Sequence, residues 1–184
     1  VGSEMCIRDS LRAQRTAYLT VGHGELNEAK ADTAEGRTGK NLRKLIESQN
    51  YVVKDLGLTQ GLANDVPADA GMVVVAGPSQ ALLPEEIQAL GRYLDRGGKV
   101  FLMLDPDAKL DFEPLAAIAD LTWNKTILAS DKNFVPRRRN ASDHTILVTN
   151  RFSSHASVST LSRVGRAPTL FPGAAALDKA KGSK

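Results

Sequence analysis

Short apolar segments that alternate with amphipathic ones constrain the fold of this chain more than any other feature. Four β-prone runs lie at 16–21, 51–56, 71–76 and 99–104, and most of them close at glycine or proline. Helical periodicity separates the first run from the second and the third from the fourth. The order β-α-β-β-α-β predicts a three-layer α/β fold, with a mostly parallel sheet and helices on both faces.

Two helices are predicted from apolar residues spaced by three and four positions. The residues expected to face the sheet are Leu42, Leu45 and Ile46 in the first helix and Ile87, Leu90 and Leu94 in the second. The second helix opens with Pro84, Glu85 and Glu86. Proline suits the first turn, and the two carboxylates suit the positive end of the helix dipole. The runs at 71–76 and 99–104 are continuous enough to predict strands buried on both faces.

The pattern is well defined over 16–122 and less regular over 123–184. A third helix is predicted to bury Phe112, Leu115 and Ile118, and strands are predicted at 127–129 and 145–148. Residues 1–10 (VGSEMCIRDS) have no periodicity and are interpreted as non-native sequence. We therefore expect a single α/β domain over 11–184, belonging to a fragment of a longer protein.

Composition excludes several classes of protein. The longest apolar stretches contain five residues, whereas a membrane-spanning helix needs about 20. The single cysteine, Cys6, excludes an internal disulfide and a paired redox site. Residues 1–122 carry 13 basic and 18 acidic side chains, and residues 123–184 carry 11 and 3. This basic C-terminal segment could meet nucleic acid, anionic lipid or an acidic partner, but a solvated basic face is the simpler interpretation.

Candidate binding residues lie where the predicted strands end, because ligands of open parallel sheets bind beyond the carboxyl ends of the strands. The candidates are Gly22, His23, Gly24, Glu25, Gly77, Pro78, Ser79 and Asp105. His23 and Glu25 between two glycines give the strongest local signal. Two interpretations stay open: the pair contacts a ligand, or it hydrogen-bonds its own loop and the neighbouring strand ends.

Three other chemistries have weaker support. Ser79 follows a buried strand, as in a nucleophile elbow, but Ala81 replaces the final glycine and only His23 among the histidines lies at a strand end. The three histidines lack the spacing of a zinc site, so no metal is expected. The run 137–139 is basic but has no interleaved aromatic residues, so it is interpreted as an exposed loop and not as a nucleic-acid site.

Three segments of the chain resemble one known family. They are AYLTVGHGE at 17–25, the long segment from GLANDVPADAG to GGKVFLMLDP at 61–106, and LFPGAAAL at 170–177. The order of these motifs is similar to that of the gliding-motility-associated ABC transporter auxiliary family. The resemblance is close over 16–106 and looser from Asp107 to Thr169.

The resemblance implies a membrane-anchored auxiliary component on the periplasmic side of the cell inner membrane. Its partners would be an ABC permease and ATPase, and its membrane anchors would lie outside this segment. The fold would be similar to flavodoxin and to class I glutamine amidotransferases. The amidotransferases carry a nucleophilic cysteine at a strand-to-helix elbow. Here that elbow is Gly77-Pro78-Ser79, without cysteine, so amidotransfer is rejected.

We therefore expect a non-catalytic binding or scaffolding domain, with no catalytic residue, cofactor or metal and with no nucleic-acid partner. A small ligand such as a sugar is a further candidate partner. The alternative is a serine hydrolase-like enzyme that uses Ser79 on an amidotransferase-like fold, with His23 as the base. Fold alone does not decide between them.

Overall fold

A four-stranded parallel sheet forms the centre of the molecule in the computed structural model. The residues that the structure describes are 13–26, 39–108, 110–164 and 168–181. The strands are β1 (Arg15–Thr20), β2 (Tyr51–Leu56), β3 (Ala70–Ala76) and β4 (Val100–Met103). Their order is β2-β1-β3-β4, and every neighbouring pair is parallel. The predicted α/β fold with a mostly parallel sheet is confirmed, and this order is compatible with the flavodoxin-like arrangement.

Alternating residues of the strands face two separate cores, one on each side of the sheet. On one side Tyr18, Val73 and Val75 pack beneath helix α2 (Pro84–Asp95). The other core is capped by helix α1 (Lys40–Ser48) and comprises Ala17, Leu19, Ile46, Val74 and Ala76. Two cores with a helix over each are what the predicted three-layer arrangement requires.

The predicted inward face of α1 is wrong for one residue. Ile46 is buried and Leu42 packs partly against the core, but Leu45 is 62% exposed. Its side of the helix borders an open groove whose other wall includes Phe101 of β4. Apolar periodicity identifies the apolar side of a helix, but it does not say whether a neighbour covers the whole of that side.

Two predictions for α2 and β4 also need correction. The fully buried positions of α2 include Glu86, which the sequence placed with the exposed acids of the helix start. β4 is not buried on both faces, because it is the last strand of the sheet and Phe101 is 55% exposed. An edge strand has a neighbour on one side only, so part of its surface stays open.

The C-terminal third forms short elements outside the four-stranded sheet. Helix α3 (Glu113–Ala117) is confirmed, with Phe112 and Leu115 buried. The further elements form two antiparallel ladders, β5 with β8 and β6 with β7, and one short helix: β5 (Leu121–Asn124), β6 (Ile146–Thr149), α4 (Ser159–Val164), β7 (Thr169–Pro172) and β8 (Ala176–Lys179).

Of the two strands predicted here, the one at 145–148 is found as β6, shifted by one residue. The strand predicted at 127–129 is wrong. Among the described residues the segment makes one backbone hydrogen bond, from Leu128 N–H to the Ala174 carbonyl at 2.8 Å, and forms no ladder. Across the part of the chain that the structure describes, no helix combines the length and apolar character that crossing a bilayer requires. Residues 1–10, interpreted as non-native sequence, lie outside the described residues.

Candidate functional site

The loops that follow β1 and β3 meet at the point where the connections of the sheet diverge. β1 leads through α1 to β2 on one side, and β3 leads through α2 to β4 on the other. The carbonyl of His23 accepts the backbone N–H groups of Ser79 and Gln80 at 2.8 and 2.9 Å. Leu26 N–H donates to the Ala76 carbonyl at 2.8 Å. The Gly22–Glu25 loop and the Gly77–Ser79 turn are thus adjacent, at the position where doubly wound folds bind ligands.

The imidazole of His23 lies between two carboxylates. Its Nδ1 is 3.3 Å from Glu25 Oε1, and its Nε2 is 2.9 Å from Glu86 Oε2. Glu25 also accepts the backbone N–H of His23 through Oε2, at 2.7 Å. The side chains are 11% exposed for His23, 1% for Glu25 and none for Glu86. The three side chains therefore bind one another below the surface.

The hydrogen bonds of this buried cluster require more protons than a neutral imidazole supplies. A neutral imidazole donates from one nitrogen only, so satisfying both carboxylates needs a second proton, on the ring or on one carboxyl group. Glu86 Oε2 also accepts the N–H of Leu83 at the start of α2, at 2.9 Å. Glu86 Oε1 is buried without a hydrogen-bond partner among the described residues. Glu86 thus joins the start of α2 to the end of β1.

Gly24 allows the two loops to approach closely. Its φ of +70° is a backbone conformation that favours glycine. A Cβ at this position would lie 1.9 Å from Ser79 Oγ and 3.2 Å from Ser79 Cβ, so the serine side chain would have to move. Of the two predicted glycines around His23, Gly24 therefore has a packing role, whereas a Cβ at Gly22 would meet no described residue within 4 Å.

The serine-hydrolase interpretation is not supported by the contacts of Ser79. Its Oγ lies 3.4 Å from the carbonyl oxygens of His23 and Gly24, and both ring nitrogens of His23 face carboxylates. A serine nucleophile needs its hydroxyl within hydrogen-bond reach of a base. Here the histidine presents a backbone carbonyl to the serine.

The remaining predicted residues divide between the core and the surface. Pro78 is fully buried. Asp105 is exposed, and its carboxylate accepts the N–H of Asp107 at 3.0 Å. No hydrogen bond or ion pair between described residues joins Asp105 to the His23 loop, so it caps its own turn. No group of three or more His, Cys, Asp or Glu side chains within the described ranges could hold a metal ion.

The basic loop 137–139 is organised by one buried carboxylate. Asp143 accepts the backbone N–H groups of Arg137, Arg138 and Arg139 at 2.7–2.8 Å. Burial raises the pKa of Asp143, but the bonds from these N–H groups outweigh it and hold the pKa below its ordinary value. The loop is exposed, as predicted, with its backbone fixed by the acid.

Comparison with known families fits this architecture. The family described as ABC-type uncharacterized transport system matches residues 14–131. The chain belongs to this family. The match includes the whole parallel sheet, both flanking helices and the His23 cluster. It ends before the β6–β7 ladder.

A solved structure confirms the fold independently of the family. The structure described as the mmIFT52 N-terminal domain has a TM-score of 0.60 and 16% sequence identity. The likeness covers 91% of this chain and 69% of that chain. At this identity it concerns the fold alone. The comparison with curated proteins finds no match.

Glu86 is the site residue that sequence reasoning missed in this member of the transport-system family. The pair Glu85-Glu86 after a proline is typical of an exposed helix start. The buried positions of α2 are 86, 89, 90 and 93, which follow the i, i+3, i+4, i+7 pattern. Position 86 lies on the same face of the helix as the apolar residues, and this spacing was the signal that could have predicted the burial of Glu86.

The contrast between Glu86 and Glu85 gives a stability test of the cluster. Glu86→Ala leaves His23 and Leu83 N–H without their acceptor, and losing one partner of a buried pair costs about 3 kcal/mol. Glu85→Ala, on the exposed side of the same turn, should cost less than about 1 kcal/mol. Urea unfolding of both variants measures the difference. Equal losses would contradict the linking role of Glu86, whereas Glu86→Gln, which keeps an acceptor, should lose less than alanine.

The lowered pKa of Asp143 predicts a pH-dependent contribution to stability. A carboxyl whose pKa is lower in the folded state stabilises the fold above its unfolded value of about 3.9, and this contribution disappears as the pH falls through the folded value. Asp143→Asn should therefore lower the thermal midpoint at pH 7, and the gap to the unmodified protein should shrink in acid. Asp178→Asn, at an exposed strand position, is the control. A gap independent of pH would contradict the charged role of Asp143.

Proposed function

We propose that this chain is a non-catalytic binding or scaffolding domain of a membrane-anchored auxiliary component of an ABC-type transport system. The family match supports the transport assignment. The motifs at 17–25 and 61–106 support the narrower assignment to the gliding-motility-associated kind. In that assignment the domain lies on the periplasmic side of the inner membrane and contacts the permease, which binds the ATPase.

The observation that carries the non-catalytic assignment is the engagement of His23. Both ring nitrogens face carboxylates, and the hydroxyl of Ser79 faces backbone carbonyls. His23 and Ser79, whose side chains could serve catalysis, therefore join the β1 loop, the β3 turn and the start of α2. The elbow at Gly77-Pro78-Ser79 has the place of a nucleophile but not its partners.

The exposed rim of the crevice favours a protein partner. The cavity of about 60 Å³ bordered by Gln80, Leu82 and Phe112 lies beside the elbow, and none of the candidate residues lines it. Ser79 and Gln80 form an exposed rim above the buried cluster. A rim of this kind suits contact with the surface of another protein.

A serine-reactive fluorophosphonate probe tests the absence of catalysis. Since Ser79 lacks a base, the folded protein should take up no more probe than Ser79→Ala. Intact-protein mass spectrometry counts the adducts. Labelling that is stoichiometric in the unmodified protein and lost in Ser79→Ala would establish the hydrolase-like alternative.

Crosslinking from outside the inner membrane tests the partners and the location together. The protein is expressed from its own gene with an affinity tag, and intact spheroplasts receive a membrane-impermeant amine crosslinker. Purification should then recover an ABC permease covalently attached, together with its ATPase. The exposed Gln80 at the rim and the exposed Gln88 on α2 offer a matched pair of variants.

Gln80→Arg should reduce the recovery of the permease, because it places a long charged side chain on the rim. Gln88→Arg makes the same change away from the crevice and should leave recovery unchanged. Crosslinking only after the spheroplasts are lysed would contradict the periplasmic location. Recovery without a permease or an ATPase would contradict the proposed partners.

A further inference from the structure

The outer edge of β4 presents backbone groups that the described part of the chain does not pair. The carbonyls of Lys99 and Met103 accept the N–H groups of Val73 and Gly77, at 2.9 and 2.7 Å, so these residues point their backbone toward β3. Alternate residues of a strand point their backbone groups to opposite sides. The N–H and C=O groups of the even-numbered residues 100, 102 and 104 therefore point outward. β4 is the last strand of its sheet.

The side chains along this edge are apolar, as is typical of a strand that another strand or a helix covers. Residues 99–105 read KVFLMLD, with charge only at the two ends. Edge strands of monomeric proteins are usually protected by charged residues, proline or a bulge within the strand. Phe101, in the middle of this one, is 55% exposed.

We propose that a second copy of this chain pairs with β4 in antiparallel orientation, with Leu102 opposite its own counterpart. This register places Val100 opposite Leu104 of the second copy and Leu104 opposite its Val100. All three pairs use residues whose backbone groups point outward, so each is a hydrogen-bonded pair of an antiparallel ladder. The two four-stranded sheets then become one continuous sheet around a two-fold axis.

Charge complementarity selects this register. With Leu102 at the centre, Lys99 of each copy lies opposite Asp105 of the other, and both side chains are exposed in the single chain. These are non-hydrogen-bonded positions, where the side chains of opposite residues come closest. Moving the register by one step sets Lys99 opposite Met103, or sets Asp105 opposite Phe101 and Lys99 opposite Asp107. Asp107 lies in the turn after Pro106, beyond the strand, so only the register centred on Leu102 pairs Lys99 with the acid nearest the strand end.

The surface beside the edge supports the same occupant. An open groove of about 470 Å³ lies between α1 and β4, lined by apolar side chains that include Leu45, Met72 and Phe101. A two-fold axis perpendicular to the sheet brings the grooves of both copies to the same face. The second copy sets its Met103 against Phe101 and extends the apolar face there. Pairing thus reduces the exposure of Phe101, which the single chain leaves open.

Sedimentation equilibrium of this chain over a range of concentrations tests the proposal. The chain should form a dimer, and Lys99→Glu should weaken its association about tenfold or more, because two attractive pairs become repulsive in each dimer. Asp105→Lys should weaken it similarly. The double variant reverses both charges, restores the complementarity and should bring the dissociation constant back to within about threefold of the original.

Lys125→Glu is the matched control, since it makes the same change in net charge at an exposed position outside β4. It should leave the association unchanged. A chain that stays monomeric up to roughly 1 mM would overturn the proposal and leave the edge to another partner. A dimer that responds equally to all the charge changes, or that the double variant does not rescue, would overturn the register.

Cysteine pairing checks the register independently of charge. With Cys6 replaced by serine, Phe101→Cys and Met103→Cys are prepared as two separate proteins, mixed and oxidised. Positions 101 and 103 face each other across the proposed ladder, with Cα atoms about 4.5 Å apart. The mixture should crosslink in higher yield than either protein alone. Equal yields in the three samples would contradict antiparallel pairing around Leu102.

Discussion

The contact between His23 Nε2 and Glu86 Oε2, at 2.9 Å, organises the part of the molecule where its candidate site lies. Glu86 is fully buried, so its carboxylate depends on the hydrogen bonds that it accepts from the ring and from Leu83 N–H. His23 in turn depends on Glu25 at its other nitrogen. Breaking one contact leaves a polar group without a partner in a dry interior. The loop after β1 and the start of α2 are therefore held as one unit, and the β3 turn joins them through the His23 carbonyl.

This arrangement supports the non-catalytic role proposed for a domain of the transport-system family. The end of β3 is a sharp turn into the segment before α2, at the position where related architectures hold a nucleophile. Catalysis there needs side chains whose reactive atoms are free to meet a substrate. In this chain the imidazole and both carboxylates bind one another below the surface. The same residues that suggest chemistry in the sequence are used to fix the shape of the surface above them.

The sequence predicted the sheet well, because β1 and β3 have strong local patterns and β3 is an uninterrupted apolar run. It also predicted that the loops after β1 and β3 are adjacent, because parallel strands bring their carboxyl ends together. The four-residue strands β5 and β8 were missed. Leu121 pairs with Lys179, 58 positions away, so their structure depends on a distant partner and not on local preference. Glu86 was missed because its side chain matches an exposed helix start and only its register reveals burial.

A backbone hydrogen bond joins the sheet edge to the crevice. Gly77 N–H donates to the Met103 carbonyl at 2.7 Å, so the elbow after β3 is bonded directly to the end of β4. Asp105, the acid proposed to pair with Lys99 of a second copy, follows Met103 by two residues and caps the turn beyond it. A partner strand on β4 would therefore fix the same turn that borders the elbow. Because a hydrogen-bonded ladder resists displacement of single residues, pairing at the edge would reduce the freedom of the crevice without any contact to His23.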